Sequence, residues 1–210
     1  MNYFDLIEGK YATIDKSSGE FKFNNDVFSI SGGLILNERT SDIKSIDFNN
    51  VTTIGGAVTI HGAIENINFR NLNLITGAVR LSSLNMKKFY FDHKLTIKSN
   101  IGFYDTNFET IDLTNVKMTK NYSCSISICG NNALVDLIFP TETCLKEIYF
   151  RSCINLKKIK FNTCETRILH VPLSMKKIGI RYANHCRIIE KITTYDDNGN
   201  YLEIDGEITL

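Results

Sequence analysis

Tryptophan is missing from this chain, and proline occurs only twice. So little proline excludes polyproline and collagen-like segments and leaves long stretches free to pair backbone to backbone. No apolar run approaches the ~18 residues that a membrane-spanning helix requires. The start, Met1-Asn-Tyr-Phe-Asp-Leu6, has no basic segment followed by an apolar one, so neither a secretory leader of that design nor membrane insertion is expected. The settings compatible with this reading are the cytoplasm and a virion.

Ligand-type residues are present without the spacing that chemistry needs. The six cysteines (Cys124, Cys129, Cys144, Cys153, Cys164, Cys186) contain no Cys-x-x-Cys pair, and His61, His93, His170 and His185 form no short cluster beyond His185 beside Cys186. Metal binding is not indicated, and free thiols packed as small apolar residues are the expectation. Asp196, Asp197 and Asn198 lack the ending of a calcium loop and read as a turn. No Gly-x-x-x-x-Gly-Lys-Ser/Thr segment exists to cradle a phosphate, and no Cys/His/Asp spacing suggests a nucleophile. Neither a cofactor nor an enzymatic activity is expected.

The formal charge of +1 hides an asymmetry. Residues 144–192 carry eleven Lys/Arg against three Asp/Glu, and the last eighteen residues carry five acids without a base. Lys157, Lys158, Lys160, Arg167, Lys176, Lys177 and Arg181 have no stacking aromatics interleaved in a known pattern, so nucleic-acid binding is not supported. Solvated lysines that keep exposed strands apart explain them more simply.

What the sequence does contain is a period. One series runs Ile30-x-x-x-Leu34-x-Leu36, Ile54-x-x-x-Val58-x-Ile60, Ile75-x-x-x-Val79-x-Leu81 and Ile97-x-x-x-Ile101-x-Phe103. A second runs Ile43-x-x-Ile46-x-Phe48, Ile64-x-x-Ile67-x-Phe69, Met86-x-x-Phe89-x-Phe91 and Phe108-x-x-Ile111-x-Leu113, at intervals of 21, 22 and 22 residues. Alternation within each motif predicts strands with one face buried, and constant spacing predicts stacking of equivalent positions. The expectation is an all-β, right-handed parallel β-solenoid with two strands per ~22-residue coil. Ile46, Ile67, Phe89 and Ile111 should form one continuous buried row. Gly32-Gly33, Gly55-Gly56 and Gly77 should mark sharp corners where successive backbones approach closely.

The ends break the period. Ala12-Thr-Ile14 and Phe21-Lys-Phe23 flank Lys16-Ser-Ser-Gly-Glu20, which reads as a hairpin turn, so residues 1–27 are an N-terminal cap and 28–192 the solenoid. Asn198-Gly199 and Asp205-Gly206 mark turns in a C-terminal β-hairpin cap over 193–210. Between Leu113 and Leu134 the interval stretches, with Lys117-Met-Thr-Lys-Asn-Tyr-Ser-Cys124 holding the extra length as a loop or bulge.

Leu134-Val-Asp-Leu137-Ile-Phe139, Leu145-Lys-Glu-Ile148-Tyr-Phe150 and Leu156-Lys-Lys-Ile159-Lys-Phe161 follow the LxxLxL pattern and resemble leucine-rich-repeat strands. Residues 134–192 are similar to the BspA-type leucine-rich repeat, with Pro172, Ser174, Met175, Ile178, Gly179, Cys186, Ile189 and Ile192 in matching positions. Tyr182-Ala183 departs from the family's Ala-Phe, and Phe139-Pro140, Ile148, Phe150, Cys153, Leu156 and Ile159 repeat the unit loosely. Residues 28–113 look more like the two-strand coils of receptor L-domains. The resemblance implies that Cys153 and Cys186 fill coil corners. It also implies a module of the kind used in bacterial surface adhesion, protozoan surface proteins and virions.

If the LxxLxL strands line one sheet, its outward column is Asp47, Asn68, Tyr90, Asp112, Ile138, Lys160 and His170, with Arg70 and Lys158 among the flanking residues. This polar, sign-mixed face is the candidate interaction surface. A non-catalytic protein–protein interaction or structural module of a larger assembly is the first expectation, and a glycan-binding, adhesin-like module using Tyr90 the alternative. Paired carboxylates for polysaccharide cleavage are not expected, since Asp47 and Asp112 would lie three coils apart. Nothing in the sequence sets an oligomeric state.

Overall fold

The computed structural model describes residues 11–37, 43–172, 187–195 and 201–202. Strands succeed one another coil by coil, beginning with a hairpin of β1 (Ala12–Asp15) and β2 (Glu20–Phe23). The first coil contributes β3 (Ser29–Ile30), β4 (Leu34–Leu36) and β5 (Ser45–Asp47), and the second β6 (Thr53–Ile54), β7 (Val58–His61) and β8 (Asn66–Asn68). The third holds β9 (Leu74–Ile75), β10 (Val79–Ser82) and β11 (Lys88–Tyr90), and the fourth β12 (Leu95–Ile97), β13 (Ile101–Tyr104) and β14 (Thr110–Asp112). Then come β15 (Val116–Met118), β16 (Ser125–Cys129) and β17 (Asp136–Ile138), followed by β18 (Cys144–Arg151) and β19 (Lys158–Lys160). The chain closes with β20 (Glu165–Pro172), β21 (Arg187–Tyr195) and β22 (Tyr201–Leu202).

The stacked strands form a β-solenoid of about seven turns. Its back is a nine-stranded sheet in the order β22-β21-β20-β18-β16-β13-β10-β7-β4, and one flank is a five-stranded sheet, β15-β12-β9-β6-β3. The front consists of two four-stranded sheets, β1-β2-β5-β8 and β11-β14-β17-β19. Pairing is parallel except between β1 and β2 and between β21 and β22. The first sequence series therefore spans two strands, a short flank strand and a back strand, so a coil of the N-terminal half has three. Glycine separates them: a Cβ on Gly56 would lie 2.5 Å from the amide nitrogen of Gly33 on the preceding coil.

Stacking equivalent residues buries them in rows. Ile46, Ile67, Phe89 and Ile111 are all buried, as that row requires. Beside them Phe23, Phe48 and Phe69 stack ring on ring, with centroids 5.5 and 5.2 Å apart, Phe91 leans against Phe69 at 5.1 Å with its ring tilted, and Phe139 stacks on Phe161 at 4.9 Å. Each such side chain contributes roughly 1.5–3 kcal/mol when buried, but only if both neighbouring coils are present to cover it. At one corner an asparagine amide ties coil to coil: Asn49 donates to Phe23 O, Asn71 to Asn49 O, Asn115 to Phe91 O and Asn162 to Phe139 O.

At the N-terminal end β2 already pairs in parallel with β5, placing Phe21 opposite Ile46. The β1–β2 turn is held by Asp15, which accepts from Ser17 N and Oγ and from Ser18 Oγ, while Gly19 takes φ +71°. Those hydroxyl and amide donors stabilise the carboxylate and lower the Asp15 pKa to about 2. At the other end Tyr195 pairs antiparallel with Tyr201. The expected turns at Asn198-Gly199 and Asp205-Gly206 lie outside the described residues, as do Asp196, Asp197, Lys176, Lys177, Arg181 and most of the BspA-like segment, Ser174 to Cys186. Among the described residues no helix is long and apolar enough to cross a membrane.

The C-terminal motifs need a correction. Leu145–Phe150 shares its spacing with Leu134–Phe139 and Leu156–Phe161, yet its strand β18 belongs to the back sheet while β17 and β19 belong to the front. The motif recurs every half coil in this region, so alternate copies land on opposite faces. For the same reason His170, only ten residues after Lys160, does not extend the front column. It stands on β20, 7% exposed, with Nδ1 2.6 Å from Thr193 Oγ1, Nε2 3.4 Å from Glu147 Oε2 and its ring 5.5 Å from that of Tyr149.

Candidate functional site

The front face carries the remaining candidate residues, and several of them have structural work. Asp47 Oδ1 accepts from the backbone of Asn49 at 2.8 Å and from Asn68 Nδ2 at 2.9 Å, while Oδ2 lies 3.4 Å from Lys22 Nζ. Asn68 in turn accepts from the backbone of Arg70, and Asp112 from the backbone and hydroxyl of Thr114. A short polar side chain bonded to the amide two residues on closes a turn, so Asp47, Asn68 and Asp112 each end their front strand. Lys158 lies opposite Asp136, with 3.9 Å between Nζ and Oδ1, and Lys160 follows on the same strand.

Tyr90 breaks the pattern. It occupies the column position held by Asp47, Asn68 and Asp112, cannot close such a turn, as Ile138 and Lys160 further along cannot, and is 57% exposed. Next to it the front ladder is interrupted, since β8 ends one four-stranded sheet and β11 begins the other.

The interruption is local. Where each front strand begins, two successive amides share one carbonyl of the coil below: Lys44 and Ser45 donate to Gly19 O, Glu65 and Asn66 to Lys44 O, Glu109 and Thr110 to Lys87 O, Val135 and Asp136 to Glu109 O, and Lys157 and Lys158 to Val135 O. The corresponding bonds from Lys87 and Lys88 to Glu65 O are missing among the described residues. Behind the gap the coils stay joined, since β7 pairs with β10, and just before it Asn85 N still donates to Ile64 O at 2.9 Å.

The opening coincides with a crowded aromatic cluster. The inward row opens at the capped end with Phe21 and continues through Ile46, Ile67, Phe89, Ile111, Leu137 and Ile159, and Phe89 puts a ring among those of Phe69, Phe91, Phe103 and Phe108, with centroids 5.1–6.1 Å away. Extra volume in a close-packed row displaces backbone. Met86, in the row of buried Ile64 and Phe108, is only partly buried.

The result is a cleft of about 560 Å³. Asn66, Asn68 and Arg70 line one wall, and Lys88, Tyr90 and Asp92 the other. Ile67, Phe69 and Met86 form the floor. Ile67 is 8% and Phe69 5% exposed, against 1% for Ile46 and 0% for Ile111 and Phe48, so the core shows through at this point. Glu65 faces Lys88 at one end and Arg70 faces Asp92 at the other, while Lys87, also in the lining, lies 3.0 Å from Glu109 outside it. Of the candidate residues, Asn68, Arg70 and Tyr90 thus come together around one opening, while Asp47, Asp112, Lys158 and Lys160 lie elsewhere on the front.

A second feature grows from the stretched interval. Residues 119–124 connect β15 to β16, and Tyr122, at φ +53°, reaches two coils along to donate its hydroxyl to Glu165 Oε2 at 2.7 Å. The Arg167 guanidinium sits 5.9 Å from the centre of its ring. The hydrogen bond to a carboxylate favours the neutral phenol and raises its pKa to about 12. The thiols of Cys129 and Cys153 are raised by burial, to about 11 and about 12. No disulfide joins Cys124, Cys129, Cys144, Cys153 and Cys164 among the described residues, and Cys186 lies outside them.

The chain matches no protein-family model, and no curated protein or solved structure is significantly similar to it.

Proposed function

We propose that this chain is a non-catalytic protein-recognition module of a larger assembly, and that it engages its partner at the front-face cleft between β8 and β11. The observation that carries this reading is the interruption of the front ladder between β8 and β11. It sets backbone with no ladder partner among the described residues beside an exposed aromatic and an apolar floor. Tyrosine at the centre of a concave patch is the kind of anchor that dominates protein interfaces. The BspA-type resemblance of residues 134–192 is consistent with such a role and adds no partner identity.

Site-specific photo-cross-linking tests the proposal. A benzophenone side chain at Tyr90 is expected to yield one discrete polypeptide adduct in the native host, and the same group at Lys117, on the flank sheet, none. Equal labelling from both positions would sink it.

One observation favours a second reading. Tyr90 is flanked by planar polar groups on Asn68, Arg70 and Asp92, the chemistry that grips a sugar ring. Saturable binding on a glycan array, lost with Tyr90→Ala, would select that alternative.

A further inference from the structure

Resting on the protein-recognition reading, we propose that the cleft is a slot for a single extended strand of the partner. The strand would be uncharged, with apolar residues alternating with Ser, Thr or Asn, and would bond to the facing edges of β8 and β11.

The backbone directions support a strand rather than a compact ligand. Asn66 N bonds to Lys44 O and Asn68 O accepts from Phe48 N, so these residues of β8 face β5. Alternation then turns the amide and carbonyl of Ile67 toward the cleft. On the other wall Lys87 O accepts from Glu109 and Thr110, which turns the backbone of Lys88 and Tyr90 toward the cleft. Two parallel edges thus face each other with unmet donors and acceptors, the arrangement that strand addition satisfies.

Side-chain chemistry selects the residues of that strand. Its inward positions would meet Ile67, Phe69 and Met86, which suit an apolar residue. Its outward positions would stand between Glu65 and Arg70 on one side and Lys88 and Asp92 on the other, with the Lys87 charge met by Glu109 at 3.0 Å. A neutral hydrogen-bonding residue meets both signs, whereas a charged one is repelled by one wall.

The test uses the full chain and fluorescein-labelled peptides measured by anisotropy. The probes are an alternating Thr/Val heptapeptide, capped at both ends and carried on a soluble tail, the same peptide N-methylated at alternate residues, and a composition-matched peptide with its valines clustered. Saturable binding of the first is expected, with a loss of about tenfold or more on N-methylation or clustering. Lys88→Pro deletes a cleft-facing amide and leaves Lys87 O to its partners, so it should weaken the first peptide about tenfold while the chain stays folded. Phe89→Ile, which removes the bulk that props the coils apart, should also abolish binding.

Binding indifferent to N-methylation and to Lys88→Pro would refute the slot, as would preference for neutral oligosaccharides over every peptide. If no peptide binds while the Tyr90 cross-link persists, the recognition reading stands and the strand slot fails. If both fail, so does the recognition reading.

Discussion

Asn68 donates its amide to the carboxylate of Asp47 at 2.9 Å, and that bond ties the second coil of the front sheet to the first. Tyr90 takes the next place in the column with a ring in solvent, and the ladder stops between them. Ile138 and Lys160 further along the column lack a turn-closing group as well, but among the described residues the backbone bonds between front strands lapse at the β8–β11 boundary.

If Phe89 props that boundary open, Phe89→Ile should let the ladder close. Hydrogen exchange measured by mass spectrometry is expected to show slow exchange at Lys87 and Lys88 in the variant and fast exchange in the parent. Thr110 and Asp136, which are bonded in both, serve as slow references. Unchanged exchange at Lys87 and Lys88 would mean that side-chain bulk is not the cause.

Coil contact at the glycine corner leaves no space for a side chain. Gly56→Val places carbon against the backbone of Gly32 and Gly33. The expected cost is about 1–3 kcal/mol, read as a lower midpoint in chemical denaturation. An undisturbed midpoint would show that the coils separate there more readily than their spacing implies.

Alkaline titration should release the Tyr122 latch. The folded state favours the neutral phenol, so the contribution of its bond to Glu165 is complete below the ordinary tyrosine value of 10.0 and is lost as pH rises toward about 12. The difference in tyrosinate absorbance between the parent and Tyr122→Phe is expected to titrate near 12. A difference curve centred at 10 would place the hydroxyl in free solvent.

Alkylation distinguishes the thiols in the same way. Burial raises Cys153 to about 12, so at pH 8 its reactive thiolate is scarce, and it is also shielded from reagent. Iodoacetamide should leave Cys153 and Cys164 unmodified in the folded chain and label both once it is unfolded. Rapid labelling of native Cys153 would contradict its place in the core.

Much of the solenoid was legible because its cause is local and repeated. The intervals linking Ile46, Ile67, Phe89 and Ile111 fix a coil length, and alternation fixes which side chains turn inward. The column of Asp47, Asn68, Tyr90 and Asp112 could be written down for the same reason. His170 could not be placed by that rule, since from Leu134 onward the same motif appears every half coil and spacing no longer distinguishes front from back. The third strand of the N-terminal coils escaped too, because two or three residues beside a corner carry little pattern of their own.

Sequence alone determined the period, the burial alternation, the glycine corners and the absence of spacing for a metal or nucleophile, all consequences of residue type and interval along one chain. Tertiary structure alone decided where the front ladder parts. That depends on whether a phenyl ring at position 89 fits among four others contributed by its own and neighbouring coils, and on whether amides on one coil reach a carbonyl twenty-two residues away. Such fits are sums over many neighbours in space, and no interval along the chain encodes them.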